Sequence, residues 1–317
     1  MDMNLGINFD RLVGKNVLNV VKLDGGINNP TFKLLCEDRC QYIVQFPGEK
    51  YPDKVKRQPF IVDLLKDKTN FLIANIVKTD CSHDIIDKDY IVLEFLSGEL
   101  LNKLSDSFTD KEIANLYKDI ALYLSSLHSV EFDSFGLIKF DKGGPYISPK
   151  YSSARDLIFE KYLSYINKAI NTPFEHYMSD LKKWLKYNVS IFGSDIVPCL
   201  THNDFSDTNI LVTSDGHISG ILDLDNISVG NNVTDIYRVY SFFSGARKEF
   251  ALKIFFENYT VKLPENFDKQ IKFYELAHVL AFVDCWNQIV EAYNKEDLEN
   301  MIQKMNKNIK ILLSTSL

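Results

Sequence analysis

The sequence predicts an α+β protein built as two unequal lobes, a small β-rich one followed by a larger, mainly helical one. Three observations carry this reading. Residues 1 to about 95 alternate short apolar, β-branched runs with turn-rich segments. From about residue 107 the apolar positions recur at helical spacing. Neither a fixed-period repeat nor a low-complexity linker interrupts the 317 residues. The boundary is placed after the run LEFL, giving lobes of 1–97 and 98–317, and the length is enough to bury a sizeable core in each.

Taken in order, "NVLNVVKL" and "TFKLLCED" read as strands on either side of the turn "DGGINNP". "CQYIVQF" is the next strand. "FIVDLLKD" reads as a helix with Pro59 in its first turn, where a missing N–H costs nothing. "DYIVLEFL" is a further strand that runs into a hinge at "LEFLSGE". Thr109 and Glu112 then form a capping box, and Ile113, Leu116, Ile120, Leu124 and Leu127 fall on one face of the helix it opens. Later helices are expected over 153–170, 175–188, 234–245, 247–259, 268–293 and 295–313. Between them stand two short β-like runs, "NILVT" and "HISGILDL".

Composition narrows the functional classes. With 45% hydrophobic and 25% charged residues the chain is an ordinary globular protein. A net charge of -7 speaks against a nucleic-acid partner and suits a cationic small molecule. No run approaches a membrane span and the first residues lack a signal-peptide core, so no membrane association and a cytoplasmic location are expected. Five scattered cysteines fit a reducing compartment. The oligomeric state is left open.

The chemistry concentrates in "LTHNDFSDTNILV" at 200–212 and "ILDLDN" at 221–226. Phosphoryl transfer asks a protein for positioning and charge neutralisation: a carboxylate near the attacking hydroxyl, and an amide oxygen with a second carboxylate on the metal that bridges the phosphates. Asp204 and Asn209 stand five residues apart, a separation that lets one irregular loop present both to the same small volume. A hairpin made of "NILV" and "ISGILDL" would return Asp223 beside them. His202 is placed to hold the loop in shape through backbone hydrogen bonds.

"HNDFSDTN" followed by "ILDLDN" resembles the aminoglycoside phosphotransferase and choline kinase superfamily, as do "DGGINNPTFKL", "SLHSVEFDSFG" and "VGNNVTDIYRV". The resemblance spans roughly residues 20–240 and implies a protein-kinase-like bilobal fold, with ATP or GTP as phosphate donor and Mg2+ as metal. It implies an enzyme that transfers the γ-phosphate to a hydroxyl of an amine-bearing small molecule, either an aminoglycoside or a choline-like metabolite. Residue by residue it implies Asp204 and His202 as catalytic, and Asn209 and Asp223 as metal ligands. Gly25, Gly26, Asn28 and Gln45 would lie on the nucleotide, with the backbone of Glu94 and Leu96 at the purine edge and Ile91 and Phe46 as walls. Asp225 is a further acidic position toward metal or substrate. On the long helix, Asp284, Trp286 and Glu291 are the expected seat of a cationic acceptor, since an indole face and carboxylates suit an amine.

One departure stands out. Relatives carry Lys or Arg where this chain has Gln45, and Gln58 occupies the position of the glutamate that pairs with that cation. Three readings follow: another cation, Lys33 or Lys22, reaches the phosphates; magnesium and backbone amides suffice; or the protein is a nucleotide-binding regulator without turnover.

Overall fold

The structure is a computed structural model that describes residues 7–23, 29–48, 53–68, 72–141 and 143–317. Its first sheet contains β1 (Val17–Lys22), β2 (Thr31–Cys36), β3 (Gln41–Gln45), β4 (Ile76–Asp80) and β5 (Tyr90–Glu94), in the order β1-β2-β3-β5-β4. All neighbours are antiparallel. Strand alternation sends Phe32, Leu34, Cys36, Tyr42 and Val44 to one face, where they pack with Leu12 of the short helix α1 (Phe9–Val13). The opposite parity, Ile43, Ile91 and Leu93, meets Val55 of α2 (Lys54–Lys68). Phe46 belongs to the first face with Phe32 and Tyr90, so it is not a wall of the cleft.

Helix α2 starts earlier than its sequence suggests. Pro59 lies inside it, not in its first turn, and the first residues are buried: Lys54, Val55, Arg57 and Gln58 all turn inward. Tertiary burial of that end outweighs the backbone hydrogen bond that the proline forfeits.

Beyond β5 the chain passes Gly98, whose φ of +140° and whose contact with Ser219 leave no room for a side chain. It then forms β6 (Glu99–Leu100), α3 (Leu101–Leu104) and α4 (Asp110–His128). The Thr109–Glu112 capping box is present in both directions. Ile113, Leu116, Ile120, Leu124 and Leu127 are fully buried, making α4 the central rod of the large core. At roughly 1.5–3 kcal/mol for each fully buried aliphatic side chain, that stripe is a main source of this lobe's stability.

The strands β7 (Gly136–Asp141) and β8 (Gly144–Ile147) pair with each other; α5 (Ala154–Asn167) and α6 (Met178–Asn188) follow. Next come β9 (Cys199–Thr201), β10 (Ile210–Val212), β11 (Ile218–Ile221) and β12 (Ser228–Gly230). Strand β10 pairs with both β11 and β6, and β12 lies between β7 and β9. The remainder is helical: α7 (Val233–Val239), α8 (Gly245–Asn258), α9 (Phe267–Asp284), α10 (Trp286–Ala292) and α11 (Lys295–Ser314). The helix expected over 268–293 is thus two helices, because Cys285 leaves helical geometry at φ -96°, ψ 9°. Among the described residues no helix is long and apolar enough to cross a membrane.

Candidate active site

The loop between β9 and β10 is fixed from beneath by one carboxylate. Asp235, on α7 and fully buried, accepts the backbone N–H groups of His202 (2.7 Å) and Asn203 (2.7 Å), and His128 Nε2 lies 3.1 Å from it. Burial alone would raise the Asp235 pKa, but the hydrogen bond and charge of His128, with the His202 N–H, hold it below the usual carboxylate value. Asn203 adopts φ +61°, a conformation that asparagine tolerates, and its Nδ2 reaches Thr201 Oγ1 and Ser228 Oγ, both at 2.8 Å. His128, at the end of α4, also contacts Tyr259 OH at 2.9 Å.

His202 is fully buried with both ring nitrogens engaged: Nδ1 accepts from the Asp204 N–H (3.4 Å), and Nε2 donates to the Leu222 carbonyl (3.2 Å). This corrects its assignment as a catalytic residue. It positions two backbones and presents nothing to a substrate.

Asp204, Asn209 and the turn at Asp223 come together. Asn209 Nδ2 donates to the Asp204 carbonyl at 2.9 Å and approaches Asp204 Oδ2 at 3.4 Å. The Asn209 carbonyl accepts from Leu222 N at 2.8 Å, which ties the residue before Asp223 to the loop. Asp223 is left-handed (φ 55°, ψ 71°) with its Oδ1 3.4 Å from the Asp225 N–H. Its pKa is raised, first because surrounding protein displaces water from it and then because Asp225 and Asp204 are near, even though its surface opens to solvent.

The donor set fits a magnesium ion. Asn209 spends its amide nitrogen on Asp204, and no described residue donates to its Oδ1. That leaves a carbonyl oxygen beside carboxylate oxygens, the hard ligands that magnesium takes along with water and phosphate oxygens. Among the described residues no group of three or more His, Cys, Asp or Glu is placed to hold a metal by itself.

Sequence reasoning missed Arg238. From α7 its Nη2 donates to Asp204 Oδ1 at 3.0 Å, while the guanidinium carbon stands 5.7 Å from the Tyr237 ring centroid. A basic residue three positions after the buried Asp235 was the available signal, since one helical turn carries it to the same loop.

On the nucleotide side, Gly25, Gly26 and Asn28 lie outside the described residues. Gln45 ends β3, half-buried and opposite Ile91. The Glu94 N–H is taken by Asn75 O (2.9 Å) and its carboxylate by Asn75 Nδ2 (2.6 Å), whereas no described residue accepts from the Leu96 N–H. Lys33 stands 3.6 Å from the Phe95 ring centroid.

Asp225, expected toward metal or substrate, faces the start of α2. It is buried at the base of the first lobe, where Oδ2 accepts from Lys54 Nζ (2.8 Å) and Asn29 Nδ2 (2.7 Å), and its carbonyl accepts from Arg57. Such a pair holds geometry more than it adds stability.

The expected seat of a cationic acceptor does not assemble either. Asp284 pairs with Lys168 at 2.6 Å. Trp286 is 6% exposed and packs edge-on against Phe174 at 5.0 Å. Glu291 is exposed on α10, which the break at Cys285 separates from Asp284, so the two do not share a helix face.

Comparison with known proteins follows the same lines. The chain is 25% identical over 233 residues to mouse acyl-CoA dehydrogenase family member 11 and 24% over 222 residues to the Arabidopsis thaliana probable acyl-CoA dehydrogenase IBR3. These matches take in 72% and 67% of this chain but only 28% and 26% of those proteins. Among solved structures, the ADP-bound aminoglycoside phosphotransferase APH(2'')-Ib superposes with a TM-score of 0.67 at 20% identity, covering 99% of this chain and 97% of that one. The macrolide 2'-phosphotransferase MphH from Brachybacterium faecium gives 0.63 at 13%, with 99% of each chain covered. A putative fructosamine-3-kinase from Thermobifida fusca gives 0.61 at 15%, covering 95% and 96%. The fold is therefore that of the kinase-like small-molecule phosphotransferases. The profile of the phosphotransferase enzyme family matches residues 19–268, and the chain belongs to that family.

Proposed function

We propose that this protein transfers the γ-phosphate of ATP or GTP to a hydroxyl of a small molecule, with residues 1–97 holding the nucleotide and 98–317 the acceptor. The observation that supports it best is the meeting of Asp204 and Asn209, on a loop pinned by Asp235, with the turn at Asp223. Asp204 is the carboxylate that orients the acceptor hydroxyl and takes its proton, and Arg238 holds that carboxylate in place. Asn209 and Asp223 would hold magnesium, which would supply charge neutralisation for the transferred phosphate. The Leu96 N–H donates to the purine edge.

The relatives named above include proteins acting on aminoglycosides and macrolides, and an amine-bearing acceptor remains the first class to try. Because Asp284, Trp286 and Glu291 do not gather, the acceptor panel extends to neutral and anionic alcohols. The test is phosphate transfer from ATP and GTP across kanamycin-type, choline-type, macrolide and sugar compounds. Asp204→Ala and Asp223→Ala should each cut turnover by at least ~100-fold, with Asp204→Ala still binding nucleotide. Equal activity in wild type and both variants refutes the reading. Gln45 supports a second reading, a nucleotide-binding regulator: thermal stabilisation by nucleotide with no transfer to any acceptor selects it.

A further inference from the structure

We propose that Lys54 supplies the cation that Gln45 lacks, contacting the nucleotide phosphates from the start of α2. The inference rests on the kinase reading above. The two strand lysines are poor candidates. Lys33 is committed to the Phe95 ring at the hinge, and Lys22 is exposed on β1, the edge strand of the sheet. Lys54 differs from both in being buried, with a side chain only 3% exposed, and in lying beside the metal turn.

Its ammonium is 2.8 Å from Asp225 Oδ2, and the Asp225 N–H is 3.4 Å from Asp223 Oδ1, so Lys54 stands next to the acid that holds magnesium. Asn29, just after the turn expected to cover the nucleotide, donates to the same Asp225 oxygen at 2.7 Å and accepts from Gly48 N at 3.1 Å. Asn29 and the start of α2 therefore meet the metal turn at one carboxylate, with Gly48 tied to it through Asn29.

Two features of this corner point to an anionic ligand. An ammonium has three N–H donors, and among the described residues only Asp225 accepts from Lys54. Arg57 adds a second cation, 8% exposed, and its Nε has no hydrogen-bond partner. Lys54 thus meets the Asp225 carboxylate, while Arg57 reaches only the Asp225 backbone carbonyl. Lys54 and the Arg57 Nε therefore keep donors that no described residue accepts, and phosphate oxygens would satisfy them. Moving the cation from β3 to α2 also explains Gln58: with no lysine at position 45, a glutamate there would be an unpaired buried charge.

The experiment is calorimetric titration of the full chain with magnesium plus ADP or GDP, whichever wild type binds, and with the matching nucleoside by competition. The variants are Lys54→Met and Lys54→Met/Asp225→Asn, the second leaving no unpaired buried acid if the first does not fold. Diphosphate affinity should fall by about 10- to 100-fold, the worth of a hydrogen bond to a charged group, with nucleoside affinity unchanged. Adding Gln45→Lys should restore part of the loss. Unchanged diphosphate affinity, or equal loss for diphosphate and nucleoside, overturns the proposal and makes Lys54 a latch between the lobes. Wild type that binds no nucleotide overturns the kinase reading itself, and this inference with it.

Discussion

The loop of Asp204 and the junction of α9 with α10 both carry acids and an aromatic residue in a short stretch, yet only the first draws its polar side chains together. In the loop the residues around Asp204 are tied down: Asp235 takes two N–H groups, His202 bridges to Leu222, and Asn209 closes on Asp204. At the junction, Trp286 is core, Asp284 is spent on Lys168 and Glu291 faces solvent. A functional cluster is thus distinguished from a chance one by the buried groups that hold it, not by its composition.

The largest effect should come from removing the hold. Asp235→Ala strands two N–H donors and the His128 ring, which at about 1–3 kcal/mol each amounts to roughly 3–9 kcal/mol of stability, measurable by urea unfolding. Turnover should vanish in whatever remains folded. Near-wild-type stability in this variant would break the comparison at its centre.

At the junction the expectation is reversed. Trp286→Ala should cost about 3–5 kcal/mol by leaving a cavity against Phe174, and Glu291→Ala should leave stability and acceptor KM unchanged. A selective rise in KM for cationic acceptors in Glu291→Ala would restore the junction as a binding site.

The smallest effect is one of pH. His278 contacts Tyr237, the neighbour of Arg238, and its pKa is lowered from 6.5 to about 4, by burial first and then by the Arg238 charge. Between those values the unfolded chain takes up a proton that the folded protein refuses. Stability should therefore decline as pH falls below 6.5 and this contribution should level off near pH 4. At about 1.4 kcal/mol per pKa unit the loss is at most ~3 kcal/mol, and His278→Gln should remove that part of the slope in urea titrations.

Much of this was legible in the linear order. The Thr109 capping box and the stripe from Ile113 to Leu127 appear where their spacing placed them, because a helix is a local periodic object. Asp204 and Asn209 meet because five residues of loop leave them few alternatives, and the β10–β11 hairpin returns Asp223 over a short distance. Pro59 and Cys285 were misleading for the opposite reason. Whether α2 extends backward through Lys54, and whether α9 runs on past Asp284, depends on what those residues pack against.

The family, the two kinds of lobe and the grouping of acids around Asp204 are written in the order of the residues, since each is encoded in spacings of a few positions that the covalent chain enforces. Only the tertiary structure decided that Asp225 faces Lys54, that Asp235 and Arg238 flank the loop, and that Trp286 is core. Those pairings join residues as far as 171 positions apart, and what brings them together is the burial of apolar surface between lobes and helices, a quantity that no local pattern contains.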